Sequence, residues 1–195
     1  IHKVDWQALG MDFLLARAEG NSPIAKEVQR YWDSLEWSGD SEYKAALSPI
    51  KDWLTENVPM REELVLCHGD TNLGNYLFDG TDINAVLDWE MAFIGHPECD
   101  LAMFVVGNES LQSGVQRPEG TFSDAEFVSE YERASGTRIR DWPYYELFAT
   151  YRSAVITLLA RKHFHGDFLE RFNQLACRSV EATLERGAAL GITQS

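Results

Sequence analysis

Residues 75–89, NYLFDGTDINAVLDW, place Asp79-Gly80-Thr81-Asp82 between two apolar runs. Asp-Gly in that setting is a hairpin signal, because the tight turns joining twisted strands need positive φ, which glycine and aspartate tolerate. Just upstream, ELVLC is a second brief apolar run, so residues 62–90 read as short strands. Each strand end delivers polar side chains: His68, Asp70 and Asn75 after the first, Asp88 and Glu90 after the last.

On both sides of this island the apolar period is helical. Ser22 and Pro23 offer an N-cap with proline at the first helical position, and Ile24, Val28, Tyr31, Trp32 and Leu35 then share one face. Tyr43, Ala46, Leu47, Ile50, Trp53 and Leu54 continue the pattern, with a break or kink expected at Pro49 and an end before Pro59. After Pro97, PECDLAMFVV predicts a short helix and LQSGVQRPEGTFS a polar loop. Ser123 or Asp124 opens a helix that Gly136 ends, and Asp141 is expected to cap a long one through Leu147, Tyr151 and Leu158. A last helix starts near Asp167, where Asp167-x-x-Glu170 resembles a capping box, and runs towards Gly187 or Gly191. The fold class expected is mainly α with a small β element. One domain over 1–195 is expected, with a helical region (1–61), a loop and hairpin (62–90) and a second helical region (91–195).

With 45% hydrophobic residues the chain can build a core and is not of the disordered class. Its 31 acidic residues against 17 basic ones give a net charge of −14, which excludes a nucleic-acid partner needing clustered Lys and Arg. Cys67, Cys99 and Cys177 form no C-x-x-C pair and are expected to be reduced thiols in the cytoplasm. No apolar run approaches the roughly 18–20 residues of a membrane span, and IHKVDWQALG lacks the pattern of a signal peptide. A first residue of Ile1 rather than Met is what a processed product, a fragment or an excised piece presents.

Asp70, Asn75 and Asp88 supply hard oxygen ligands without thiols, a set suited to Mg²⁺. With two of these oxygens on a metal, the remaining aspartate can accept a proton from a substrate hydroxyl. The D-x-x-x-x-N spacing from Asp70 to Asn75 is that of the protein-kinase catalytic loop H-R-D-x-x-x-x-N, here with His68 and Gly69 ahead of the aspartate.

The blocks H-G-D-T-N-L-G-N, L-D-W-E and G-H-P-E-C-D-L-A, in that order within about 35 residues, resemble the aminoglycoside phosphotransferase and choline kinase family of kinase-like enzymes. The chain is similar to its bacterial phosphotransferases and to domains fused to acyl-CoA dehydrogenases. The resemblance implies an ATP-dependent O-phosphotransferase acting on a small hydroxylated molecule. Asp70 would be the catalytic base, Asn75 and Asp88 would hold Mg²⁺ on the ATP phosphates, and His68 and Asp100 would support the loop. Gly95-His96-Pro97 departs from the family's usual Gly-Asp-Pro, which leaves the role of His96 open, as is that of Glu90.

The chain contains no G-x-G-x-x-G and no V-A-x-K-like strand, so the resemblance implies the C-terminal lobe of a protein kinase-like fold, with the N-terminal nucleotide lobe absent. That lobe is then a required partner, and the isolated chain is expected to bind Mg-ATP weakly and transfer phosphate slowly or not at all. Other classes stay open: a non-catalytic regulatory or binding domain of kinase shape, and a two-metal phosphoesterase, which needs more His and Asp ligands. Tyr144, Tyr145, Arg152, Asp167 and Glu170 are available for substrate contact, with packing and capping as competing roles. His163 and His165 invite a metal, and Cys67 a nucleophile, against placement at a helix end and an inert thiol.

Overall fold

The computed structural model describes residues 1–15, 22–61, 63–111, 120 and 122–193, and of 108–111 the backbone alone. Helix α1 (Pro23–Ser38) begins where Ser22 Oγ accepts the Ala25 N–H and ends on Gly39, left-handed at φ 78°. Its buried face carries Ile24, Val28, Tyr31, Trp32 and Leu35. Helix α2 (Ser41–Glu56) runs unbroken through Pro49, contrary to the expected break. Losing one backbone bond to proline costs about 3 kcal/mol. Burial of Leu47, Ile50 and Leu54 on both sides of it contributes roughly 1.5–3 kcal/mol each, which is enough to hold the helix together.

The strands form two separate antiparallel pairs. β1 (Val65–Cys67) pairs with β4 (Phe93–Gly95), Cys67 opposite Phe93 and Val65 opposite Gly95. β2 (Tyr76–Asp79) and β3 (Asp82–Val86) form the expected hairpin, with Gly80 at φ 62° in the turn. Sequence reasoning missed β4, which at three residues shows no period. Two strands alone are marginal in water. β1 and β4 persist because Leu66, Cys67, Phe93 and Ile94 are buried. The main core covers one face of that pair, and on the other Trp6 and Leu14 from the N-terminal segment join Leu66 and Ile94.

Helix α3 (Pro97–Leu111) follows β4, and α4 (Asp124–Ser135) opens on a full capping box between Ser123 and Glu126. The polar loop expected over 111–123 falls largely on residues outside the described ones. Helix α5 (Trp142–Ala160) is buried along nearly its whole length, and contacts α1, α3 and α6 (Gly166–Ala189). A helix apolar all round is a core helix. Two expected caps are not made: Asp141 gives no capping bond to α5 and pairs instead with Arg61, while α6 starts after His165 without a side-chain cap. Among the described residues no helix is long and apolar enough to cross a membrane.

Candidate active site

β1 ends at Cys67, and the chain turns sharply through His68 and Gly69. Gly69 sits at φ 84°, and a Cβ there would lie 2.2 Å from the Met91 carbonyl oxygen, so glycine alone fits. Asp100, in the first turn of α3, accepts the His68 N–H on Oδ2 and the Gly69 N–H on Oδ1, each at 2.8 Å. Thr71 Oγ1 adds a bond to the Asp100 carbonyl at 2.9 Å. A carboxylate at a helix N-terminus is favoured by the exposed amides there, so α3 offers it a stable seat.

The buried His68 ring stands 2.7 Å from the Leu87 carbonyl through Nε2. That contact requires the proton on Nε2, which leaves Nδ1 to accept the Asp70 N–H at 3.3 Å. Both ring nitrogens are therefore used within the protein, and the imidazole packs edge-on to Trp89 with centroids 4.7 Å apart. His68 is a structural pin rather than a metal ligand.

Asn75 Nδ2 donates to the Asp70 carbonyl at 3.0 Å and to Asp70 Oδ2 at 2.8 Å. Both amide hydrogens thus point at Asp70, and Oδ1 has no hydrogen-bond partner among the described residues. The Asn75 carbonyl accepts the Leu87 N–H at 2.8 Å. Leu87 is thereby held at both ends, by Asn75 and His68, and the next residue is Asp88. Asp88 adopts a left-handed backbone, φ 64° and ψ 59°, and makes no capping bond. Its side chain is exposed. Such a conformation costs a non-glycine residue about 1–2 kcal/mol and clusters at functional sites.

The structure therefore joins Asp70 to Asn75 directly and ties Asp88 to them through Leu87, with His68 and Asp100 as the frame. Among the described residues two hard-oxygen groups, the Asn75 amide oxygen and the Asp88 carboxylate, are left free of hydrogen bonds, which is the donor set a magnesium ion takes. His2, Cys67 and Asp100 form another group of potential ligand atoms, within 4.8 Å of one another. It fits a metal less well, because Asp100 commits both oxygens to backbone amides and burial pushes the Cys67 thiol well above its usual pKa. Cys67 is also fully buried, and a thiol closed off from solvent in this way is a poor nucleophile.

Other candidates lie elsewhere. His96 is buried at the far end of the β1–β4 ladder, bonded to the Tyr145 hydroxyl, and burial lowers its pKa. Glu90 lies in the short turn Trp89–Met91. Tyr144 and Tyr145 are core residues, whereas His163, His165, Asp167 and Glu170 are exposed around the start of α6. Arg152, available for substrate contact on sequence grounds, is instead fully buried and donates to the Gly69 carbonyl. Sequence reasoning missed His2, which reaches Asp100 Oδ2 at 3.0 Å and the Tyr131 hydroxyl at 2.7 Å. Nothing local marks it, since the contact spans 98 residues. An apolar cleft of about 660 Å³ opens beside the hairpin between Tyr76, Phe78, Phe104, Phe127 and Tyr131, and is lined by none of Asp70, Asn75 or Asp88.

The phosphotransferase enzyme family matches residues 1–148 of the chain. The probable acyl-CoA dehydrogenase IBR3 of Arabidopsis thaliana is 29% identical over 179 residues, covering 80% of this chain and 21% of that protein. Acyl-CoA dehydrogenase family member 11 of Rattus norvegicus is 26% identical over 97% of this chain and 26% of its own length. The chain thus spans about a quarter or less of these curated relatives. Among solved structures, one from Ralstonia eutropha designated an aminoglycoside phosphotransferase superposes with a TM-score of 0.77 at 24% identity, covering 96% of this chain and 61% of that one. Choline kinase from Cryptosporidium parvum superposes with a TM-score of 0.55 at 12% identity, covering 92% and 60%. Both share the fold.

Proposed function

The chain belongs to the phosphotransferase enzyme family, and from that premise we propose that it carries the carboxylate side of an ATP-dependent transfer of phosphate to a small-molecule hydroxyl. The observation that carries this reading is the Asn75 amide. It gives both hydrogens to Asp70 and leaves its own oxygen without a partner among the described residues, while its backbone carbonyl binds Leu87, the neighbour of Asp88.

Asp70 Oδ2 is held by Asn75, which leaves Oδ1 to accept the hydrogen of an acceptor hydroxyl. As the acceptor oxygen bonds to the γ-phosphorus, its proton passes to Asp70 and the bond to the ADP oxygen breaks. Positioning carries most of the rate in such reactions, since the phosphoryl group is already activated. Asn75 Oδ1 and Asp88 would hold the magnesium, which when bound neutralises phosphate charge. His68 keeps the two halves of the site in register through Leu87, and Asp100 fixes the backbone from which Asp70 projects. The chain lacks a glycine-rich phosphate loop and a strand lysine in the expected context, so the activity is assigned to a polypeptide that also supplies the covering lobe.

The test is product detection with a protein containing both parts. ATP, Mg²⁺ and a panel of amino alcohols, aminoglycosides, sugars and hydroxylated acyl thioesters should yield ADP and a phosphorylated acceptor. Asp70→Ala should lower kcat by roughly 10²- to 10⁴-fold, the range for a lost general base. Asp88→Asn should raise the Mg²⁺ concentration needed for half-maximal rate. Retention of the parent's rate and metal dependence by both variants would overturn the assignment.

A further inference from the structure

Arg152 lies in the middle of α5 with no accessible surface. Among the described residues its guanidinium contacts no carboxylate: Nη2 donates to the Gly69 carbonyl at 2.9 Å and to the Tyr31 hydroxyl at 3.0 Å. The Tyr31, Phe93 and Phe148 rings surround it, with centroids 5.0 to 5.4 Å from Cζ. Nε and Nη1 have no hydrogen-bond partner among the described residues. Burial works against its charge, but Tyr31 and Glu27 turn the net shift of its pKa upward, so the cation is kept.

A buried cation with unpaired donors is a poor stabiliser, and an apolar side chain of similar volume often serves a core as well or better. What an apolar side chain cannot do is donate to Gly69. The amides of His68 and Gly69 are already fixed by Asp100, and the Gly69 carbonyl is the last backbone acceptor before Asp70. The space there is closed, since a Cβ on Gly69 would lie 3.1 Å from Arg152 Nη2 and 2.2 Å from the Met91 oxygen.

We propose that Arg152 is a positioning residue for the reaction, a buried cation that clamps the Gly69 carbonyl opposite the Asp100 clamp and so fixes the direction in which Asp70 leaves the loop. The catalytic part of this statement rests on the phosphotransferase reading, whereas the clamp itself does not. Misplacement of a reacting group by about 1 Å costs on the order of 10²-fold in rate, so even partial release of the loop is measurable.

The test compares Arg152→Met and Arg152→Lys with the parent, in the protein that carries the covering lobe. The first readout needs no activity: amide hydrogen exchange at residues 68–71 should quicken tenfold or more in Arg152→Met, while α5 and α6 keep their protection. Arg152→Lys, which can still donate one bond to Gly69, should lie between the two and serves as the test if the Met variant does not fold. The second readout is kinetic, with kcat reduced tenfold or more and KM for nucleotide within threefold. Unchanged exchange at 68–71 in a folded variant overturns the clamp, as does exchange that quickens equally throughout α5 and α6. Quickened exchange at 68–71 with no transfer in any variant, parent included, sustains the clamp and places the failure in the functional reading.

Discussion

Asp100 gives one oxygen to each of the two consecutive amides that lead to Asp70, with His2 also on Oδ2, and this explains why an aspartate rather than an amide side chain suits the position. Asparagine has one acceptor oxygen and would leave a buried N–H facing an NH₂ group, at a cost of about 1–3 kcal/mol. His96 lies at the other end of the β1–β4 pair from Asp70. Burial lowers its pKa from the ordinary 6.5 because the imidazolium is poorly solvated beside Tyr145, and the nearby Glu98 only partly opposes this. A histidine with a lowered folded value contributes its full stability above about pH 6.5. That contribution falls as the pH drops below 6.5, where the unfolded chain takes up the proton more readily. Thermal melts between pH 7.5 and 5 should therefore show a falling Tm, and His96→Asn, which can keep a bond to the Tyr145 hydroxyl, should flatten the slope. The hydrogen-bonded set of His68, Asp70 and Asn75 was legible because its members lie within eight residues of one another. Arg152 and His2 were not, because Arg152 meets Gly69 across 83 residues and His2 meets Asp100 across 98, and nothing in their local context separates a buried donor from a surface one.

At the scale of elements, legibility followed the strength of the local signal. Ser22 with Pro23, Ser123 with Gly136, and Asp79-Gly80 each start or stop an element where a stereochemical need is met within a few residues. β4 was invisible because three residues are too short a run to show a strand period, and it is pairing with β1 that fixes them. Asp141 was expected as a cap, and tertiary electrostatics overrode it: Arg61 draws its carboxylate away at 2.9 Å. Pro49 was overruled in the same way, by packing on both sides of it. Removing that conflict should stabilise the protein, so Pro49→Ala is expected to raise stability by about 1–3 kcal/mol, read as a higher urea midpoint at unchanged m-value.

For the molecule as a whole, α5 is the hub. It meets α1, α3 and α6 with its flanks and the loop at Gly69 with Arg152, so no part of the candidate site has a core of its own. Unfolding is expected to be a single transition, with helix content by circular dichroism and tertiary packing by tryptophan emission coinciding across denaturant. Separation of the two curves would show instead that the loop and its strands melt apart from the helices. Of the six tryptophans, Trp89 alone stands against the imidazole of His68, with its indole nitrogen tethered to the Val86 carbonyl at 2.9 Å. With the other five replaced by phenylalanine, the protein would carry its own lamp at the mouth of the loop. Its brightness would follow the distance to one imidazole, and any movement of the loop could be watched without attaching a dye.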